Sequence, residues 1–190
     1  GGGLYDFDLN DKVKWAPFPP SGIVFGAVYR SSLTAAWTPD PSEPGTSFAV
    51  EASSTNFSGA GPVASSATAQ ASATVGLETA LEPDTTYYVR VAAIDGSTSA
   101  YSATAATSTL ADPVANPRWA GVWATSVSWT WDALGPGSGA GTAQGYLLVA
   151  STSSDFQPTA ASSWTYLVGQ STLTAEGLVP NTTYYFRVGS

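Results

Sequence analysis

The chain has no cysteine, no methionine and no histidine. With no thiol there is no disulfide and no thiolate nucleophile, and with no imidazole there is no neutral-pH proton shuttle and no histidine metal ligand. The serines are plentiful but lack a histidine base to activate them. Charge is scarce as well: only 11% of the 190 residues are charged, against about 25% in an ordinary soluble domain. The six cations are Lys12, Lys14, Arg30, Arg90, Arg118 and Arg187, and fourteen acids bring the net charge to −8. So few cations cannot neutralise a run of phosphates, which excludes nucleic acid as a partner and disfavours anionic membranes. No stretch of about 20 apolar residues occurs, so no membrane insertion by a helix is expected. No secretory signal is visible either.

What the chain does have is aromatic and apolar bulk: 43% hydrophobic residues, with 7 Trp, 9 Tyr and 7 Phe, enough to build a core. It also repeats itself. LEPDTTYYVRVAA at 81–93 recurs as LVPNTTYYFRVGS at 178–190, with Pro83 and Pro180 spaced 97 residues apart. That spacing is about the size of one β-sandwich domain. Within each copy the apolar residues alternate. Tyr87, Val89 and Val91 fall on one face of a strand and Tyr88, Arg90 and Ala92 on the other; Tyr184, Phe186 and Val188 repeat the first set. Upstream, Leu33, Ala35 and Trp37 align with Val127, Trp129 and Trp131, so each copy has a strand that turns a tryptophan inward. FAVEASSTNF at 48–57 likewise aligns with YLLVASTSSDF at 146–156. The stretches between are turn chemistry, TPDPSEPG at 38–45 and ALGPGSGAGTAQG at 133–145.

A tryptophan on an early strand, followed some 40 to 50 positions later by Leu-x-Pro-x-Thr-x-Tyr-x-Val-x-Val, resembles the fibronectin type III repeat (Trp37 with 81–91; Trp131 with 178–188). The resemblance implies an all-β chain of two tandem immunoglobulin-like sandwiches, with Tyr87 and Tyr184 as tyrosine corners. It also implies modules that are noncatalytic, need no cofactor and occur serially in secreted or cell-surface proteins. The expected organisation is an N-terminal extension at 1–19, a first domain at 20–110 and a second, incomplete domain at 111–190, joined by the short linker Ala111 to Pro113.

The second copy departs from the first at its end. After Val91 the first copy continues to Leu110, whereas only Gly189 and Ser190 follow Val188, so the second copy is expected to be one strand short. Either the sequence is an excerpt whose continuation supplies that strand, or another chain supplies it. The extension offers a donor. Tyr5, Phe7 and Leu9 alternate with Asp6, Asp8 and Asn10, and laid against the Tyr184, Phe186 and Val188 strand of another copy they would build a head-to-tail polymer.

Four further features rest on their residues alone. Asp6, Asp8 and Asn10 match positions 1, 3 and 5 of a calcium loop, but Asp11 stands where its glycine belongs and Pro17 where its glutamate belongs. Most other acids, Asp40, Glu43, Glu82, Asp84, Asp95 and Asp112 among them, fall in turns or beside prolines as capping and solvating groups, so paired-carboxylate hydrolysis is not expected. Trp119, Trp123, Trp129 and Trp164 exceed the needs of one core. They suit a subunit interface or, as the rival reading, a glycan or surface-protein contact of an accessory module in a larger secreted polysaccharide-degrading enzyme. The sequons at Asn56 and Asn181 are uninformative in so Ser/Thr-rich a chain.

Overall fold

The computed structural model describes residues 17–41, 47–59 and 64–190. The extension, with Tyr5, Phe7, Leu9 and the Asp6, Asp8, Asn10 cluster, lies outside them, save for its last residues Pro17 to Pro19.

The first half forms eight strands: β1 (Ser21–Val28), β2 (Leu33–Thr38), β3 (Ser47–Ser53), β4 (Ala64–Thr68), β5 (Ser72–Val75), β6 (Thr86–Asp95), β7 (Thr98–Tyr101) and β8 (Ala105–Ser108). One sheet has the order β1-β2-β5. The other runs β4-β3-β6, with β7 and β8 both pairing along the far edge of β6 as two pieces of one broken strand. The period-two pattern dictates what meets between the sheets. Leu33, Ala35 and Trp37 enter from β2, Phe48, Val50 and Ala52 from β3, and Tyr87, Val89 and Val91 from β6, all buried. The Trp37 indole meets the Phe48 ring edge-on, centroids 5.5 Å apart.

The second half repeats the plan with six strands: β9 (Ala115–Val122), β10 (Ser126–Asp132), β11 (Tyr146–Ser151), β12 (Ala161–Thr165), β13 (Thr172–Glu176) and β14 (Tyr185–Gly189). Its sheets are β13-β10-β9 and β12-β11-β14. The registers agree as well: Val50 opposite Val91 and Ala52 opposite Val89 become Leu148 opposite Val188 and Ala150 opposite Phe186. Trp131 is buried against Tyr146 at 5.1 Å, as Trp37 is against Phe48.

Both tyrosine corners are formed. The backbone N–H of Glu82 donates to the Tyr87 hydroxyl at 2.9 Å, and that of Val179 to the Tyr184 hydroxyl at 3.0 Å. The turn ahead of each final repeated strand bends through a left-handed residue, Asp84 (φ 44°) and Asn181 (φ 56°). Asp and Asn tolerate that conformation better than other side chains. No counterpart of β7 or β8 lies beside β14 among the described residues.

Candidate functional site: the open flank of the second sandwich

The two copies differ most along one side. In the first, β6 is paired on both edges and its inward residues Tyr87, Val89 and Val91 are fully covered. In the second, β14 pairs among the described residues only with β11, and the equivalent Tyr184, Phe186 and Val188 are half-buried although they pack on the core. The opposite sheet is uncovered along the same side. Phe25 of β1 pairs with Ala35 and rests on the first core, whereas its counterpart Trp119 of β9 pairs with Trp129 and is 71% exposed. Val28 and Val122 are related in the same way, and Val122 is exposed.

Large aromatics line this flank. Trp129 stands where the first copy has Ala35, and Phe186 where it has Val89. Ring centroids run from Trp119 to Trp129 at 6.1 Å, on to Phe186 at 5.5 Å and to Tyr184 at 6.4 Å, a continuous aromatic path from one sheet edge to the other. Trp123 folds back over Gly121: a Cβ there would clash with the indole at Cη2, so only glycine admits the ring so close to the backbone. The flank thus brings together Tyr184, Phe186 and Val188 with Trp119 and Trp129, whose share in it the alternation of β14 does not show.

The outer face of β6 carries a cation clamp. The Arg90 guanidinium lies 3.9 Å from the centroids of both Phe57 and Tyr101 and pairs with Glu51 at 2.8 Å. Phe57 is presented by a turn whose amides at Thr55 and Phe57 donate to the buried Ser53 hydroxyl. In the second copy Arg187 lies 4.4 Å from the Phe156 ring, over a similar turn held by Ser151. Val149 replaces Glu51 as its cross-strand neighbour, and Tyr101, which belongs to β7, has no equivalent among the described residues. Arg187 has no ion pair among the described residues, while Arg30, Arg90 and Arg118 each have one.

A second apolar surface lies where the sandwiches meet. The Trp164 and Tyr166 rings lie 4.9 Å apart with their planes tilted by 59°, and Trp164 stands opposite Leu147. Together with Leu110, Gln144 and Asp84 they line a groove of about 620 Å³. The Gly-rich loop after Trp131, expected to be a plain turn, is instead a docking element. Gly137, Gly139 and Gly141 take positive φ, and the loop reaches the first sandwich through Gly139 N–H to Pro83 O at 3.0 Å and Thr142 hydroxyl to Asp84 at 2.9 Å. Asp112, in the linker, accepts from Gly141 N–H at 2.8 Å and from Arg30 at 2.9 Å. Those two donors, the amide first, hold its carboxyl below the ordinary value of 3.8. Asp84 and Asp112 are therefore joint residues and not merely solvating ones.

Among the described residues no group of three or more acids converges as a metal site would, and no helix is long and apolar enough to cross a membrane.

No curated protein matches the chain. Among solved structures it is similar to the FN1–FN3 domains of chicken CNTN1, with 17% identity, a TM-score of 0.48, and 91% of this chain and 61% of that one covered. It is also similar to a segment of titin, with 26% identity, a TM-score of 0.42, and 50% of this chain and 32% of that one covered. The chain thus spans less than two thirds of the length of either. Residues 18–108 match the Fibronectin type III domain. Domains of that family are generally noncatalytic scaffold modules, often extracellular. With its Trp37 core, its tyrosine corner and its β1-β2-β5 and β4-β3-β6 sheets, the first sandwich is a fibronectin type III domain.

Proposed function

We propose that the chain is a noncatalytic structural unit of an extracellular or cell-surface assembly, a filament, stalk or adhesin, whose copies join head to tail. The observation that carries this reading is the open flank, where the same strand that is covered in the first sandwich leaves Tyr184, Phe186 and Val188 half-exposed beside Trp119 and Trp129. Covering such a surface is favourable by about 25 cal/mol per Å² of apolar area, and the unpaired edge of β14 offers backbone groups to an added strand. The donor is the Leu4 to Asn10 segment of the next copy, with Tyr5, Phe7 and Leu9 turned into the flank. Donor and acceptor are different segments of the chain, so the contact is head-to-tail rather than self-complementary.

Sedimentation velocity over a concentration series, with electron microscopy of the same samples, tests this. The full chain should form a concentration-dependent ladder of oligomers, and the chain lacking residues 1–10 should remain monomeric. A full chain that stays monomeric, or a deletion that assembles equally well, overturns the reading.

The Trp164 and Tyr166 pair supports a second reading, a glycan-binding accessory module, because adjacent exposed rings can stack on sugar faces. Titration with oligosaccharides should then show binding that Trp164→Ala abolishes. Absence of binding removes it.

A further inference from the structure

We infer that the groove between the sandwiches is a composite binding site for a neutral oligosaccharide, with an aromatic wall from the second sandwich and hydrogen-bond acceptors supplied by both. This rests on the glycan-binding reading and adds to it the class of sugar and the part played by the first sandwich.

Comparison of the two copies shows how the wall arises. In the first, one row across the outer face of the sheet is Ala67, Ala49 and Ala92. In the second the same row is Trp164, Leu147 and Gly189, so two small side chains give way to an indole and a leucine beside a notch. A Cβ on Gly189 would meet nothing within 4 Å, which leaves the notch open to a ligand. Tyr166 follows on a turn fixed by the Thr165 hydroxyl, which accepts from Leu167 N–H at 3.0 Å and donates to Gln170 at 2.9 Å. The rings are therefore held in place before a ligand arrives. Their 59° tilt is too far from coplanar for a flat polymer surface, so the ligand is a single soluble chain.

The polar groups decide its charge. Asp84, from the turn ahead of β6, and Gln144, from the Gly-rich loop, both line the groove. Asp84 accepts from Thr142 and Gln144 through Oδ2 alone, and Gln144 bonds only through its Nε2. Among the described residues Asp84 Oδ1 and Gln144 Oε1 have no donor, and sugar hydroxyls supply one. A purely apolar ligand would instead cover these acceptors unpaired, at a cost. No cation among the described residues lines the groove, and Arg30 is committed to Asp112. An acidic sugar would therefore meet Asp84 without compensation.

Isothermal titration calorimetry of the full chain with cellohexaose, maltohexaose and hexagalacturonate tests this, with folding of each variant checked by circular dichroism. At least one neutral hexasaccharide should bind, and hexagalacturonate should bind about tenfold more weakly or not at all. Asp84→Asn should weaken binding about tenfold, because Asn keeps one oxygen for Thr142 and loses the other. Asn also suits the left-handed backbone there, as Asn181 does in the second copy. If Trp164→Ala abolishes binding while Asp84→Asn leaves it unchanged, or if hexagalacturonate binds as tightly as the neutral sugars, the composite neutral-sugar inference is wrong and glycan binding stands. If none of the three sugars binds, or if Trp164→Ala changes nothing, both fall.

Discussion

Trp131 shows how a residue can be favourable and imperfect at once. Its indole is 2% exposed against Tyr146, yet its Nε1 has no hydrogen-bond partner among the described residues, and the same is true of Trp37. An orphaned buried donor costs about 1 to 3 kcal/mol. Burying a ring of about 200 Å² returns about 5 kcal/mol at 25 cal/mol per Å², so the ring outweighs the orphan. Trp131→Ala is therefore expected to destabilise the second sandwich by about 3 to 5 kcal/mol. Urea denaturation should show its transition moved to lower concentration while that of the first sandwich stays in place. Coincident movement of both transitions would mean that the two sandwiches unfold as one unit.

At the scale of elements, β6 and β14 carry nearly the same sequence in different surroundings. Among the described residues β6 is paired on both edges and β14 on one. Amide hydrogen exchange should thus find β6 protected close to the global stability of its domain and β14 exchanging markedly faster in the monomer, slowing on assembly. Equal protection in the monomer would mean that the second edge is already occupied.

This contrast also marks how far the sequence could be read. The duplicated Leu-x-Pro-x-Thr-x-Tyr stretch and the inward Trp37 and Trp131 were legible, because strand period and turn chemistry are local, and both tyrosine corners followed from the family resemblance. The role of the Gly-rich loop was not legible, and Trp129 was legible only as surplus to the core. Trp129 occupies the site of Ala35, and alternation places it inward without saying that it stays only partly buried, which depends on β9 and on what lies beside β14. The loop reads as a turn because its glycines report only backbone freedom, whereas its role is set by Pro83, Asp84 and Asp112, distant in sequence. The placement of Tyr5, Phe7 and Leu9 lies outside the described residues.

At the scale of the whole molecule, the joint between sandwiches hangs on two carboxylates. Asp84 accepts from Thr142 and, at 3.3 Å, from Gln144, while Asp112 holds Gly141 and Arg30 and its carbonyl accepts from Ser190 at 2.5 Å. Because the Asp112 carboxyl is held below 3.8, its contribution is present above that value and is lost as pH falls through the depressed one. Small-angle scattering over a series of pH values falling from about 7 to below the depressed Asp112 value should therefore show a narrow distribution of lengths giving way to a broader one while both sandwiches stay folded. An unchanged profile would place the stiffness of the joint elsewhere.

The aromatic path on the flank has an optical consequence. Indoles emit at longer wavelength in water than in apolar surroundings, and Trp119 and Trp129 sit 6.1 Å apart where an added strand would exclude solvent. The protein therefore carries its own unlabelled reporter. Occupancy of the flank can be followed as a blue shift in real time, and replacing Trp119 should remove much of the signal while leaving the buried Trp37 and Trp131 as an internal standard.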